Sequence, residues 1–216
     1  MDFAIPAAIS EDLNRLKDII RTQIAPDLAS WAQKQKMPDT FLQLLGAGGW
    51  YGIKMKGERL TRGSGLREAM IAEELAKVSP GVAIVALAHV DLGLMGLFLF
   101  GSKRLHEAYG SSAVQGKTVM CLGNTENIAG SDVAGVSMSA DKVDGGWMLN
   151  GTKAYVTNGL IADLGVITAV SDPQADRNHR LSMFLVNLNT EGVRRKKLNK
   201  QVWIPSYLTR LRFNNV

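Results

Sequence analysis

Apolar residues recur at helical spacing through the first half of this chain and at alternate positions through the second, and the change falls near Lys117. Two successive periods predict runs of helices followed by runs of strands, so the fold class is α+β with segregated layers and not alternating β/α units. The expected architecture is an N-terminal all-α helical domain over residues 1–116, then a mainly antiparallel β-barrel or sandwich domain over residues 117–216. A chain of 216 residues is long enough to give both a real core.

In the first half, Ser10 precedes Glu11 and Asp12, and Leu13, Leu16, Ile19 and Ile20 come next at helical spacing, which predicts a helix capped by Ser10. Pro26 should break or kink the chain beyond that helix. Asp39 is placed to cap a short helix carrying Phe41, Leu42, Leu44 and Leu45, and a loop is expected through about residue 63. Leu66, Met70, Ile71, Leu75 and Val78 predict a further helix from Gly65, ended by Ser79-Pro80-Gly81. Val82 to Phe100 is apolar over about the length that spans a bilayer. His89 and Asp91 near its centre would be expensive in lipid, so a buried helix is expected and no membrane. Ser102 should cap a last short helix ending at Gly110.

In the second half, strands are expected at Thr118 to Gly123, around Val136 to Ala140, at Gly165 to Val170, Leu181 to Leu188 and Leu208 to Phe213. Asp144-Gly145-Gly146 is a hairpin signal leading into Trp147 and Leu149.

The charge is mixed, with 25 Lys+Arg against 20 Asp+Glu and a net +5, which does not imply nucleic acid. The densest basic run, Arg194 to Lys197 with Lys200 shortly after, lacks the aromatics that would stack bases and reads as a solvated strand edge. Its alternative reading is attraction for an anionic ligand. One cysteine, Cys121, excludes an internal disulfide, and the three histidines have no metal-ligand spacing, so no metal site is expected. The first residues do not form a secretory signal, which leads to a cytoplasmic expectation.

No dinucleotide fingerprint, phosphate-binding loop or serine-nucleophile turn is present; Gly46 and Gly48 begin such a fingerprint but Tyr51 stands at its third glycine. Cys121 reads as a small buried hydrophobe and His89 as a satisfied core histidine. Two stretches carry chemistry. Thr125-Glu126-Asn127-Ile128-Ala129-Gly130-Ser131-Asp132 is a polar turn between apolar strands, able to cradle an anion or a ring edge. Lys153 to Asn158 is a strand on which Tyr155 and Thr157 share a face, an aromatic beside a hydroxyl that could support a planar cofactor.

Together these stretches resemble the acyl-CoA dehydrogenase family. Thr125, Glu126, Ala129, Gly130, Ser131 and Asp132 match its T-E-P-x-A-G-S-D pattern, with Asn127 at the proline. Leu149, Asn150, Gly151 and Lys153 match L-N-G-x-K, and Tyr155, Thr157 and Asn158 match the family's next motif, aromatic-I-T-N. Glu73-Glu74-Leu75-Ala76 with His89, and Phe213-Asn214-Asn215-Val216, extend the likeness over nearly the whole chain.

The resemblance implies FAD as cofactor. Leu122, Asn124, Thr125, Gly130 and Ser131 would line it, Ser131 at its pyrophosphate or at acyl-CoA, the substrate. Tyr155, Val156 and Thr157 would face the flavin ring, Tyr155 by stacking and Thr157 by hydrogen-bonding near N5. The implied activity is an FAD-dependent oxidoreductase of fatty acid metabolism that dehydrogenates an acyl-CoA to an enoyl-CoA, as a homotetramer or other homo-oligomer, and passes electrons to an electron-transfer flavoprotein. The family's C-terminal four-helix bundle, which supplies the catalytic base, has no counterpart before Val216, so no catalytic residue is assigned. The alternatives are a non-catalytic acyl-CoA-binding or partner-binding subunit, a truncated paralogue, or a related flavin oxidase.

Overall fold

The computed structural model describes residues 5–216. Helix α1 (Ala7–Ile19) presses Leu13 and Leu16 into the core, and its last turns widen into a π-type segment that buries Ile20 and Ile24. It begins three residues before the expected cap, with Pro6 at the cap position, and the Ser10 hydroxyl instead donates to the Pro6 carbonyl. Pro26 falls in a single tight turn, Ala25–Asp27, after which α2 (Leu28–Lys34) begins. Thr40, not Asp39, occupies the cap position of α3 (Phe41–Ala47), and Asp39 is paired with Lys36.

The stretch expected to be loop contains a small antiparallel hairpin, β1 (Ile53–Lys56) with β2 (Arg59–Arg62), which contributes Ile53 and Leu60 to the core. Ser64 caps α4 (Gly65–Val78) by accepting from the Arg67 N–H, and Ser79 caps the next helix by accepting from the Val82 N–H. That helix, α5 (Pro80–Phe100), is continuous, with a π-type widening over Ala88–Leu94. It is long and apolar enough to cross a membrane by composition, yet here it is the central core helix, packed between α4 and the sheet. Gly93 makes this contact close: a Cβ there would stand 2.6 Å from that of Met120. Ser102 caps the last helical stretch as expected, although the stretch continues past Gly110 to Val114.

The chain then forms seven strands: β3 (Met120–Gly123), β4 (Ser139–Val143), β5 (Gly146–Thr157), β6 (Leu164–Val170), β7 (Leu181–Asn187), β8 (Val193–Lys197) and β9 (Leu208–Phe213). They form one sheet in the order β3-β6-β4-β5-β9-β8, with β7 on the remaining side of β6. Four pairings are antiparallel, while β3 and β4 each meet β6 in parallel, so the sheet is mixed. Gly145 adopts φ +78° in the expected β4–β5 turn. The basic run forms β8, an end strand, as its composition suggests.

His89 joins the two layers. Its Nδ1 accepts the Met120 N–H at 3.0 Å and its Nε2 donates to the Ala113 carbonyl at 3.0 Å, an arrangement that fixes one neutral tautomer. Full burial pushes the imidazole down to about 4. This is the satisfied core histidine expected from the sequence. Cys121 is likewise buried, and desolvation pushes its thiol up to about 12. We expect a thiol-specific reagent to leave Cys121 unmodified in the folded chain and to react stoichiometrically in denaturant; fast labelling of the native chain would contradict this packing.

A candidate cofactor cradle on the β5 bulge

Between Lys153 and Val156 the ladder of β5 with β9 shifts register: Lys153 pairs with Leu211 but Val156 pairs with Thr209. One extra residue is accommodated on β5 as a bulge. Tyr155 there takes φ +56° and is 60% exposed, while Ala154 and Val156 on either side are 1% exposed. The bulge thus presents an aromatic ring to the outside, flanked by half-buried Thr157. Val156 turns its side chain into the core, which leaves only its backbone for any ligand.

The β3–β4 loop is held against this bulge. The Ala154 N–H donates to the Thr125 carbonyl at 2.8 Å, and Lys153 Nζ donates to the Asn124 carbonyl at 3.1 Å. Beneath the loop lies a buried ion pair, Lys153 Nζ to Glu126 Oε1 at 2.8 Å, with Lys153 fully buried. Glu126 also accepts from the Ser137 N–H and hydroxyl and from the Met138 N–H, so one carboxylate ties both ends of the loop together. Burial by itself would raise this carboxyl; the hydrogen bonds from Lys153, Ser137 and Met138 outweigh it and hold Glu126 below its ordinary value. Desolvation lowers the Lys153 ammonium, opposed by Glu126. Neither role is legible in the sequence, where both residues are only motif positions.

Of the expected site residues, Asn124 and Thr125 are tied by their carbonyls to Lys153 and Ala154, next to the bulge that carries Tyr155, Val156 and Thr157. Leu122 lies in β3 and Asn124 directly follows that strand, the Thr125 carbonyl anchors Ala154, and Gly130 and Ser131 are exposed farther along the loop. Several features suit a polar, planar ligand. Asn124 Oδ1 is buried without a partner, a Cβ at Gly130 would meet open space, and the Gly130 and Ser131 N–H groups make no backbone hydrogen bond among the described residues. Those atoms supply one acceptor and two donors, and Tyr155 supplies the flat apolar face. FAD, with its ring and diphosphate, fits this set. The nearby carboxylates are committed: Glu126 as described, and Asp132 to Arg177.

Comparisons with known proteins agree with this geometry. Residues 13–117 match the N-terminal domain model of acyl-CoA dehydrogenase and residues 121–216 match its middle domain model. The short-chain specific acyl-CoA dehydrogenase of Megasphaera elsdenii is 30% identical over 197 residues, covering 89% of this chain and 51% of the relative. The solved structure of butyryl-CoA dehydrogenase from the same organism superposes with TM-score 0.90 at 30% identity, over 100% of this chain and 58% of that one. The FAD complex of PigA superposes with TM-score 0.91 at 25% identity, over 100% and 57%. The chain spans about half the length of the curated relatives it matches. With both of its halves matched by successive domain models, the chain belongs to the acyl-CoA dehydrogenase family, whose N-terminal and middle domains it carries.

Proposed function

We propose that this chain is the flavin-holding part of an FAD-dependent acyl-CoA dehydrogenase. The observation that carries the reading is the loop of residues 124–131, clamped by Glu126 and Lys153 against a bulge that exposes Tyr155 beside Thr157. Bound FAD would supply the hydride acceptance by which an acyl thioester becomes an enoyl thioester. The chain's own residues bind and orient. Tyr155 offers its ring as a platform, Thr157 its hydroxyl, Asn124 and Thr125 the polar edge, and Gly130 and Ser131 their N–H groups to a diphosphate or to the acyl-CoA. Leu122 closes the apolar side, and Val156 contributes backbone alone.

Because Glu126 is consumed by four hydrogen bonds, it is not the base that removes a substrate proton. That base belongs outside residues 117–216 in this reading, and the unit boundary near residue 116 separates helical from flavin-facing parts. Electron-transfer flavoprotein as acceptor, acyl-CoA as substrate, a homotetramer and a cytoplasmic setting are the corresponding proposals, supported by family membership and by a lone buried cysteine suited to a reducing compartment.

In the complete enzyme, Thr157→Ala is expected to slow flavin reduction by acyl-CoA by about tenfold, the equivalent of one lost hydrogen bond, with an unchanged melting temperature. Unchanged reduction kinetics would remove Thr157 from the flavin face.

A further inference from the structure

Flavin binding leaves the basic run of β8 unexplained. In the β8–β9 ladder Arg194 stands directly opposite Arg212, and Lys196 directly opposite Arg210. The next strand places Thr152 beside Arg212. These four cations alternate with residues of the other face: Leu211 and Thr209 are buried, while Arg195 bonds the Leu160 carbonyl and Asn189, and Lys197 bonds Gln35. Arg194, Lys196, Arg210 and Arg212 have no such partners among the described residues, and β5, β8 and β9 contain no acidic residue. Arg210 Nε is buried without a hydrogen-bond acceptor.

Edge protection explains charge on β8, which ends the sheet. It does not explain Arg210 and Arg212, because β9 is paired on both sides. Like charges directly opposite one another destabilise a ladder, and an orphaned guanidinium donor adds to that. An anion that sits over the four side chains relieves that repulsion. The patch measures roughly 5 Å across the strands and 7 Å along them, two rows deep, which suits two linked phosphate groups better than one. Arginine's planar fork matches phosphate oxygens, and the patch is too short and too poor in aromatics for a nucleic acid strand.

We propose that Arg194, Lys196, Arg210 and Arg212 form a binding site for a diphosphate group, of free pyrophosphate or of a nucleoside diphosphate. It stands on strands other than those of the Ser131 loop and does not depend on the flavin reading. The test is calorimetric titration of the chain with sodium pyrophosphate at low ionic strength. Saturable one-to-one binding is expected, with orthophosphate at least tenfold weaker. Arg210→Gln with Arg212→Gln should weaken pyrophosphate at least tenfold, whereas Lys54→Gln, on the distant β1, should leave it unchanged. The double variant should also melt no lower than the parent without anion, since it relieves repulsion; this readout separates loss of the site from loss of the fold. ADP binding as tightly as pyrophosphate identifies the diphosphate alone as the ligand, and tighter binding identifies a nucleotide. No saturable binding, equal affinity for orthophosphate, equal loss in Lys54→Gln, or equally strong competition by hexaglutamate would overturn the assignment.

Discussion

Lys153→Met is expected to destabilise the chain by about 3–5 kcal/mol, because it leaves the Glu126 carboxylate buried and without its cation. Urea unfolding of the purified chain measures this directly. The double variant Lys153→Met with Glu126→Gln should recover a substantial part of the loss, since it removes the uncompensated charge together with the ammonium. The same pair sets an acid limit. Glu126 is held below its ordinary value of 4.5 in the folded state, so its contribution is fully present above that pH and is lost as pH falls through the lower folded value. Additive single-variant effects would show that the two groups do not interact as the structure places them. The functional consequence is local: with the clamp gone, the loop of residues 124–131 loses its hold on the β5 bulge, and ligand affinity should fall along with stability.

The second large effect comes from His89. His89→Leu leaves the Met120 N–H and the Ala113 carbonyl buried and unpaired, at about 1–3 kcal/mol for each group, and so about 2–6 kcal/mol in all. The imidazole also makes stability depend on pH. Its folded value lies near 4, below the ordinary 6.5, so the unfolded chain takes up a proton that the folded chain refuses. Stability is therefore full above about 6.5 and declines by about 3 kcal/mol as pH falls toward 4. In His89→Leu that slope should flatten between these pH values. A slope identical in parent and variant would mean that another group controls the transition.

Much of this fold is legible in the sequence because its signals are local. The Ser102 cap, the Asp144-Gly145 turn and the apolar length of α5 each depend on neighbours within a few residues. The β1–β2 hairpin escapes because each strand has four residues and one fully buried apolar side chain, Ile53 or Leu60, too little for alternation to register. The Ser10 and Asp39 caps fail because good capping residues stand near positions that the backbone uses instead, Pro6 and Thr40.

The candidate site divides in the same way. Thr125, Ser131, Tyr155 and Thr157 are visible as motif residues, and the structure ties the Thr125 carbonyl to Ala154, next to Tyr155. The clamp is not visible, because Glu126 and Lys153 are 27 positions apart and only the register of β5 brings them together. The bulge that turns Tyr155 outward is likewise a property of the pairing with β9 and not of the β5 sequence. Long-range register also hides the opposition of Arg194 and Lys196 to Arg212 and Arg210.

The most direct measurement of the central claim is the visible absorption spectrum of the protein purified from its own cell, recorded before and after anaerobic addition of short-chain acyl-CoA, with its intact mass. The account predicts flavin bands that bleach on addition, in a protein heavier than the 23.4 kDa of this chain. A colourless protein, or flavin bands unchanged by any acyl-CoA, would contradict it.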